Sequence, residues 1–408
     1  MKKLTEKLIV RDFGPLTNVV IDFKRITLLI GPSACGKSTL LKIVAMMRHI
    51  LKMQLVRSVL RDFHVKGKNL PRLRSEGYVH NAGFETYFRA TTHITYEICV
   101  DDQELRIEMD ASRRIHVSGD VPPRLVYKIA FLTDMRSALA MWTEGGARSV
   151  ARGLKSLDYY FGETFDLWTT ALEAMPSEGM LLQHFPGMRV SSKKNAFHQR
   201  AVNVHSEGRT VCDFRLVRAA SGLKTSIPLA VIMDYLGRGR NSAPESFRKD
   251  ILDQAFESGF DAVHVEEAVS SLGEYGRGLT LVSVQIEEPE ISLDPATQVE
   301  LLRSMVCSAM DCAEDRVVTL AFATHSPYVL TSLNDLILAE KHIRLREGIL
   351  APRHSLVGQV AAWQIKDGLA KDLIDSETGF VSADELDAVS DVLGERLCEV
   401  VSDEGIVE

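Results

Sequence analysis

The stretch Ile26–Thr39, ITLLIGPSACGKST, constrains this chain more than any other. A β-rich apolar run enters Gly-x-x-x-x-Gly-Lys-Ser at Gly31, Gly36, Lys37 and Ser38, and helical spacing of apolar residues follows from Leu40. Glycines let the backbone curl so that successive N–H groups face one point, and a helix N-terminus directly behind adds partial positive charge there. Gly31, Pro32, Ser33, Ala34, Cys35, Gly36, Lys37, Ser38 and Thr39 are therefore expected to cradle nucleotide phosphates. Lys37 offers a point charge to the β and γ phosphates, and Ser38 a hydroxyl to Mg²⁺, so ATP and Mg²⁺ are the expected cofactors. Upstream, Leu8–Leu16 and Val19–Phe23 alternate as two short strands. Arg11 and Phe13 are candidates to touch the base; the plainer reading makes them packed or solvated strand residues.

A second stretch, LVSVQIEEPEISLDP from Leu281 to Pro295, ends an apolar run in three carboxylates. Leu281–Ile286 reads as a buried strand beside the P-loop strand, with Glu287 at its end to hold Mg²⁺. Glu288 faces the other way by strand alternation and is placed to orient or deprotonate a water. Glu290, beyond Pro289, is expected to leave the strand for a turn-stabilising or solvated role. Asp294 and Pro295 open a helix running through Met305. Arg316–Phe322 is another buried strand, followed by ATHSPYVL, where His325 is placed to reach a γ-phosphate.

These segments, with AASGLKTSIPL at 219–229 between them, follow the order of an ABC-type ATPase head, and the chain resembles the OLD-like and SMC-like AAA-family ATPases of bacteria. LIVRDFGPLTNVVIDFKRITLLIG is similar to their opening. YKIAFLTDMRSAL at 127–139 resembles their strand ending in Y-I-P-A-E-R-S, with Arg136 and Ser137 matching and Asp134 departing. The signature is Ala220-Ser221-Gly222-Leu223-Lys224 rather than Leu-Ser-Gly-Gly-Gln, so only Ser221 and Gly222 carry over. The resemblance implies a P-loop NTPase of ABC-head type with a mixed sheet core, an N-terminal antiparallel β subdomain and a helical insert. It also implies a composite site. Ser221 and Gly222 of one copy would cap ATP held by another copy's P-loop, and Asp294 would lie at the subunit contact. The partner is then a second copy of the chain, as a homodimer or higher homo-oligomer.

On this reading residues 1–408 form one head. Residues 1–47 are the N-terminal strands and P-loop; 48–218 an inserted helical and β region; 219–366 the signature, acid and histidine lobe; and 367–408 an acidic segment carrying 13 acids against Lys371 and Arg396. Within the insert the patterns predict a basic amphipathic helix over 38–64, strands over about 93–132, helices over about 137–183 and hairpins over 189–218, with a polar helical segment at 240–278. No sustained heptads appear. Net charge is −7, yet residues 48–74 carry +7 and residues 184–224 carry +6, either as solvated faces or as possible DNA contacts. The six cysteines lack metal-ligand spacing and read as reduced thiols. No apolar run approaches a membrane span and the charged N-terminus is unlike a secretory signal, so a cytoplasmic, non-membrane protein is expected.

Eighty-three residues follow His325, fewer than the Toprim nuclease domain of OLD proteins needs, so any nuclease would be a separate effector. The family resemblance implies a switch of such an effector, in the manner of anti-phage systems of the PARIS or Septu type. A RecF-like DNA-repair ATPase and a nucleotide-gated scaffold with little turnover use the same residues and stay open.

Overall fold

The computed structural model describes residues 4–62, 70, 72–122, 125–144, 159–194, 200–206, 212–238, 251–252, 279–312, 316–341, 352 and 354–382. The chain opens with β1 (Leu4–Phe13), β2 (Leu16–Phe23) and β3 (Ile26–Ile30), then α1 (Lys37–Asp62) and α2 (Ser75–Ala82). β4 (Phe88–Val100), β5 (Gln103–Asp110), β6 (Ile115–Gly119) and β7 (Val126–Leu132) follow, then α3 (Leu139–Glu144) and α4 (Tyr159–Ala174). A small sheet is built from β8 (Met180–Leu181), β9 (Met188–Lys194), β10 (Arg200–Ser206) and β11 (Cys212–Arg215). α5 (Ser221–Arg238), β12 (Thr280–Glu287), α6 (Pro295–Met310), β13 (Arg316–Thr324), α7 (Pro327–Lys341), β14 (Val360–Lys366) and β15 (Leu369–Asp372) complete the order.

The fold is α/β around one large mixed sheet, ordered β6-β5-β4-β1-β2-β15-β14-β3-β13-β12-β7. One wing is antiparallel: β1 pairs with β2 and β4, β4 with β5, and β5 with β6. The other is parallel, from β14 through β3, β13 and β12 to β7. β3 and β12 are buried along their whole length, which suits their continuous apolar runs. The expectation that β12 lies directly beside β3 is corrected, because β13 sits between them. The acids at the end of β12 therefore reach the P-loop across the end of β13.

α1 departs from its expected character. It is not a basic amphipathic helix but a core helix, with residues such as Ile43, Val44, Met47, Ile50, Leu51 and Val56 fully buried and Arg48 only 1% exposed. It is enclosed by the sheet, packing on β7, β12 and β13, and by α2. Arg48 pairs with the buried Glu6 carboxylate, which also accepts from Tyr96 at 2.7 Å and Tyr127 at 3.3 Å. Tyr127 meets Ser283 at 3.1 Å and Ser283 meets Thr319 at 2.9 Å. Burial works against the Arg48 charge, and the Glu6 carboxylate overcomes it, so its pKa is raised. This polar chain bolts the antiparallel wing to the parallel one, and Arg48 is thereby removed from any DNA-facing patch.

The strand group at 93–132 is present, although β7 belongs to the parallel core and not to the antiparallel wing. The hairpin expected around 201–214 is present as β10 against β11, its turn lying outside the described residues. The helical segment expected at 240–278 and the acidic segment beyond 382 lie almost wholly outside them too. Cys35, Cys99, Cys307 and Cys312 are free thiols. Among the described residues no helix is long and apolar enough to cross a membrane.

Candidate functional site

The P-loop forms as its sequence requires. Gly31 and Gly36 hold φ of 151° and 106°, and a Cβ at Gly31 would lie 2.2 Å from the carbonyl of Ile365 on β14. Ala34 also takes a left-handed φ of 62° at the exposed crest of the loop. Lys37 begins α1 and is 5% exposed, its ammonium folded onto the loop: Nζ donates to Gly31 O at 2.9 Å and Pro32 O at 2.8 Å, with Cys35 Sγ at 3.8 Å. Burial lowers its pKa, opposed by Cys35 and by the charges of Glu288 and Glu290. Lys37 thus completes the loop's own hydrogen bonds. Ser38 is exposed and Thr39 half-buried on the first turn of α1.

Glu287 is the last residue of β12 and 8% exposed. The Ser38 hydroxyl and the Asp134 backbone N–H lie beside its carboxylate and favour the charged form. Burial raises its pKa, Lys42 opposes the rise and Asp134 adds to it. The two residues expected to hold Mg²⁺ are therefore brought to the same place. Glu288 leaves the strand with a left-handed φ of 43°, unusual for a side chain of this size, while its N–H donates to Ala323 O at 2.8 Å. That twist sends its side chain into the open, where Oε1 lies 3.6 Å from His325 Nε2. His325, one residue past β13, is exposed, and the residue expected to act on water thus meets the one expected to reach a γ-phosphate.

Two residues enlarge this set. Arg136 is fully buried in a 3-10 turn (Asp134–Ala138) after β7. It donates to Glu287 O at 2.7 Å, Glu288 O at 2.5 Å, Thr133 O at 3.1 Å and, through Nε, Thr225 O at 3.1 Å. Burial pushes its pKa down to about 10, with Glu290 the foremost of the carboxylates opposing that fall. Sequence reasoning matched Arg136 by resemblance without giving it a task; a lone arginine after a strand carries no spacing signal. Glu290 corrects its expected solvated role. The turn is present, with Leu293 N–H donating to Glu290 O at 3.1 Å. Its side chain, however, turns inward, and Oε1 accepts from Thr324 Oγ1 at 2.6 Å and His325 N–H at 3.0 Å.

Ser221 stands exposed as the first residue of α5. A Cβ on Gly222 would lie 2.7 Å from Ser292 O, and Thr225 Oγ1 donates to Ile291 O at 2.9 Å, so the head of α5 is pressed onto the turn behind the acids. Asp294 caps α6, accepting from Ala296 N–H at 3.1 Å, Thr297 N–H at 3.2 Å and Thr297 Oγ1 at 2.6 Å. Those bonds hold its exposed carboxylate below the usual range. The structure thus packs Ser221 and Gly222 against the turn that leads into Asp294. Phe13 is sealed in a cluster with Phe84, Tyr87 and Phe88, which removes it as a contact to the base, while Arg11 is exposed.

The basic stretches are uneven. Arg61, Arg72 and Arg74 are exposed, whereas Lys66 and Lys68 lie outside the described residues. In the second stretch, Lys194 and Arg200 both pair with Glu173 at 3.1 Å, Lys193 and Arg218 are exposed, and Arg209 lies outside the described residues. Among the described residues no group of three or more His, Cys, Asp or Glu side chains could hold a metal ion.

No family model matches the chain, and no curated protein does. Among solved structures it is similar to an SMC head bound to the C-winged helix domain of ScpA, at 11% identity, 90% coverage of this chain, 97% of that chain and a TM-score of 0.41. It is similar to the SMC head domain from Thermotoga maritima at 10% identity, with 90% and 97% covered and a TM-score of 0.40. It is also similar to the recombination mediator protein RecF with ATP, at 7% identity, 91% and 100% covered and a TM-score of 0.38.

Proposed function

We propose that this chain binds Mg-ATP in the loop Gly31–Thr39, hydrolyses it, and uses a second copy of itself to complete the site. The observation that carries this reading is one convergence: the Glu288–His325 approach of 3.6 Å sits where β12 and β13 end, next to Glu287, whose carboxylate the Ser38 hydroxyl of the P-loop helix helps keep charged. Lys37 exchanges Gly31 O and Pro32 O for phosphate oxygens. Ser38 and Glu287 would hold Mg²⁺, whose charge would shield the phosphates. Glu288 takes the proton of the attacking water, and His325 orients that water and the γ-phosphate.

Ser221 and Asp294 are exposed, with Gly222 half-buried against the turn between them, which suits contact with nucleotide and P-loop of a second protomer. The N-terminal strands with the P-loop (1–47), the insert (48–218), the signature lobe (219–366) and the acidic segment (367–408) would then move as parts of one head. Engagement around ATP would switch a separate effector, and the sequence resemblance favours a nuclease in anti-phage defence. A second reading, a RecF-like DNA-binding ATPase, is favoured by the exposed Arg61, Arg72 and Arg74. ATP turnover by the purified chain, measured with wild type, Lys37→Ala and Glu288→Gln, tests the enzyme. Duplex DNA binding that requires ATP and falls steeply with salt would move the assignment to the second reading.

A further inference from the structure

Glu290 belongs to a closed circuit of hydrogen bonds that contains no residue of the P-loop and neither Glu287 nor Glu288. Its Oε1 accepts from Thr324 Oγ1 at 2.6 Å, and the same hydroxyl accepts from Ser326 N–H at 2.9 Å. Ser326 Oγ donates to Gln298 Oε1 at 2.6 Å, and Gln298 Nε2 donates to Leu293 O at 2.9 Å. Leu293 N–H returns to Glu290 O at 3.1 Å, which closes the ring. His325 sits inside this circuit, flanked by the two hydroxyl residues and held by its own N–H on Glu290 Oε1 at 3.0 Å. Thr324 is fully buried and Ser326 is 7% exposed, so water does not compete freely for these bonds. The other carboxylate oxygen, Oε2, is buried and makes no hydrogen bond among the described residues, so the side chain is held by what Oε1 binds.

We propose that Glu290 is the positioning residue for His325, acting through the ring to fix the imidazole against Glu288 and to tie it to the helix that Asp294 caps. This rests on the ATPase reading above. A histidine one residue beyond a strand end has no ladder partner of its own, and a displacement of about 1 Å at a group that must meet a developing charge can cost on the order of 100-fold in rate. Gln298 lies on the first turn of α6, so a shift of that helix by a second protomer would reach His325 through Ser326 and Thr324.

The test uses the full chain with Glu290→Ala, Glu290→Gln, Thr324→Val, His325→Ala and the double variant Glu290→Ala with His325→Ala. Glu290→Ala is expected to lower kcat by roughly 10- to 100-fold while ATP affinity stays within about threefold, and adding His325→Ala should cost little more. Glu290→Gln keeps the acceptor at Oε1 and should restore kcat to within about fivefold of wild type. Thr324→Val, a gentler change should the alanine variant not fold, should lower kcat by a smaller factor with affinity kept. Hydrogen exchange at the His325 amide gives a readout independent of turnover, expected to be fast in Glu290→Ala and slow in wild type and Glu290→Gln. Unchanged exchange in Glu290→Ala, a glutamine variant as damaged as alanine, or additive losses in the double variant would overturn the proposal. Absence of turnover in wild type would instead overturn the ATPase reading, with the exchange result still separating a formed ring from an absent one.

Discussion

Arg136 donates to the carbonyl of Glu288 at 2.5 Å, and Glu288 sits at a φ of 43°. Its guanidinium takes the preceding carbonyl, that of Glu287, at 2.7 Å, so two successive carbonyls converge on one planar fork. The left-handed step at Glu288 and the buried cation form one device, which also reaches Thr225 on the helix headed by Ser221.

Arg136→Met should therefore remove a buried charged donor shared by four carbonyls, with Glu288 O and Thr133 O keeping only the longer backbone bonds of 3.2 Å and 3.4 Å, and destabilise the chain by about 2–4 kcal/mol. Arg136→Lys, with one ammonium in place of the fork, should fall between methionine and wild type. Urea unfolding followed by far-ultraviolet circular dichroism measures both. A loss below about 0.5 kcal/mol for methionine would show that the four carbonyls find water instead.

Lys37→Ala removes the cation that now rests on Gly31 O and Pro32 O. A charge-assisted bond contributes roughly 1.5–3 kcal/mol, so ATP affinity should drop by about 10- to 150-fold. Calorimetric titration of ATP gives the number, and affinity kept within about twofold would remove Lys37 from phosphate binding.

Stability at acid pH turns on His184. It is 2% exposed, both ring nitrogens lack partners among the described residues, and burial alone brings its pKa down to about 4. An unfolded chain holds this proton more tightly, with a pKa of roughly 6.5, so stability is full above that value and is lost as pH falls towards 4. The loss is on the order of 3 kcal/mol by pH 4. In His184→Phe that part of the pH dependence should vanish from denaturant midpoints taken between pH 7 and pH 4. Identical slopes for the two proteins would contradict it.

Ser221→Arg tests the composite site. Ser221 is exposed and its own chain's P-loop is built from other elements, so ATP binding should stay within about twofold of wild type and stability within about 0.5 kcal/mol. ATP-dependent association should be lost, as read by analytical ultracentrifugation. Equal loss of ATP binding in this variant and in Lys37→Ala would place Ser221 in its own chain's cradle.

The legible parts of this molecule were those governed by local periodicity. The P-loop, the strand delivering Glu287 and the cap at Asp294 follow from alternation, helical spacing and capping chemistry over a dozen residues each. Strand order was not legible, because nothing in Leu281–Ile286 reveals that β13 intervenes before β3. Glu290 misled for a related reason. Proline at 289 does end the strand, but the turn brings the next carboxylate back towards Thr324, 34 residues away in sequence. Arg48 and Arg136 were hidden more deeply still, since an arginine in sequence reads as surface charge, while here Glu6 and four backbone carbonyls draw the two inside.

The account stands most directly on the mass of Glu288→Gln in solution, with and without Mg-ATP, measured by light scattering during size exclusion. A general base contributes about 10²- to 10⁴-fold, so this variant should bind ATP and turn it over more slowly by a factor in that range. Trapped before hydrolysis, it should run as a monomer alone and at twice the monomer mass or more with Mg-ATP. A monomer in both conditions, with ATP bound, would contradict the composite site, and wild-type turnover in the glutamine variant would contradict the role given to Glu288.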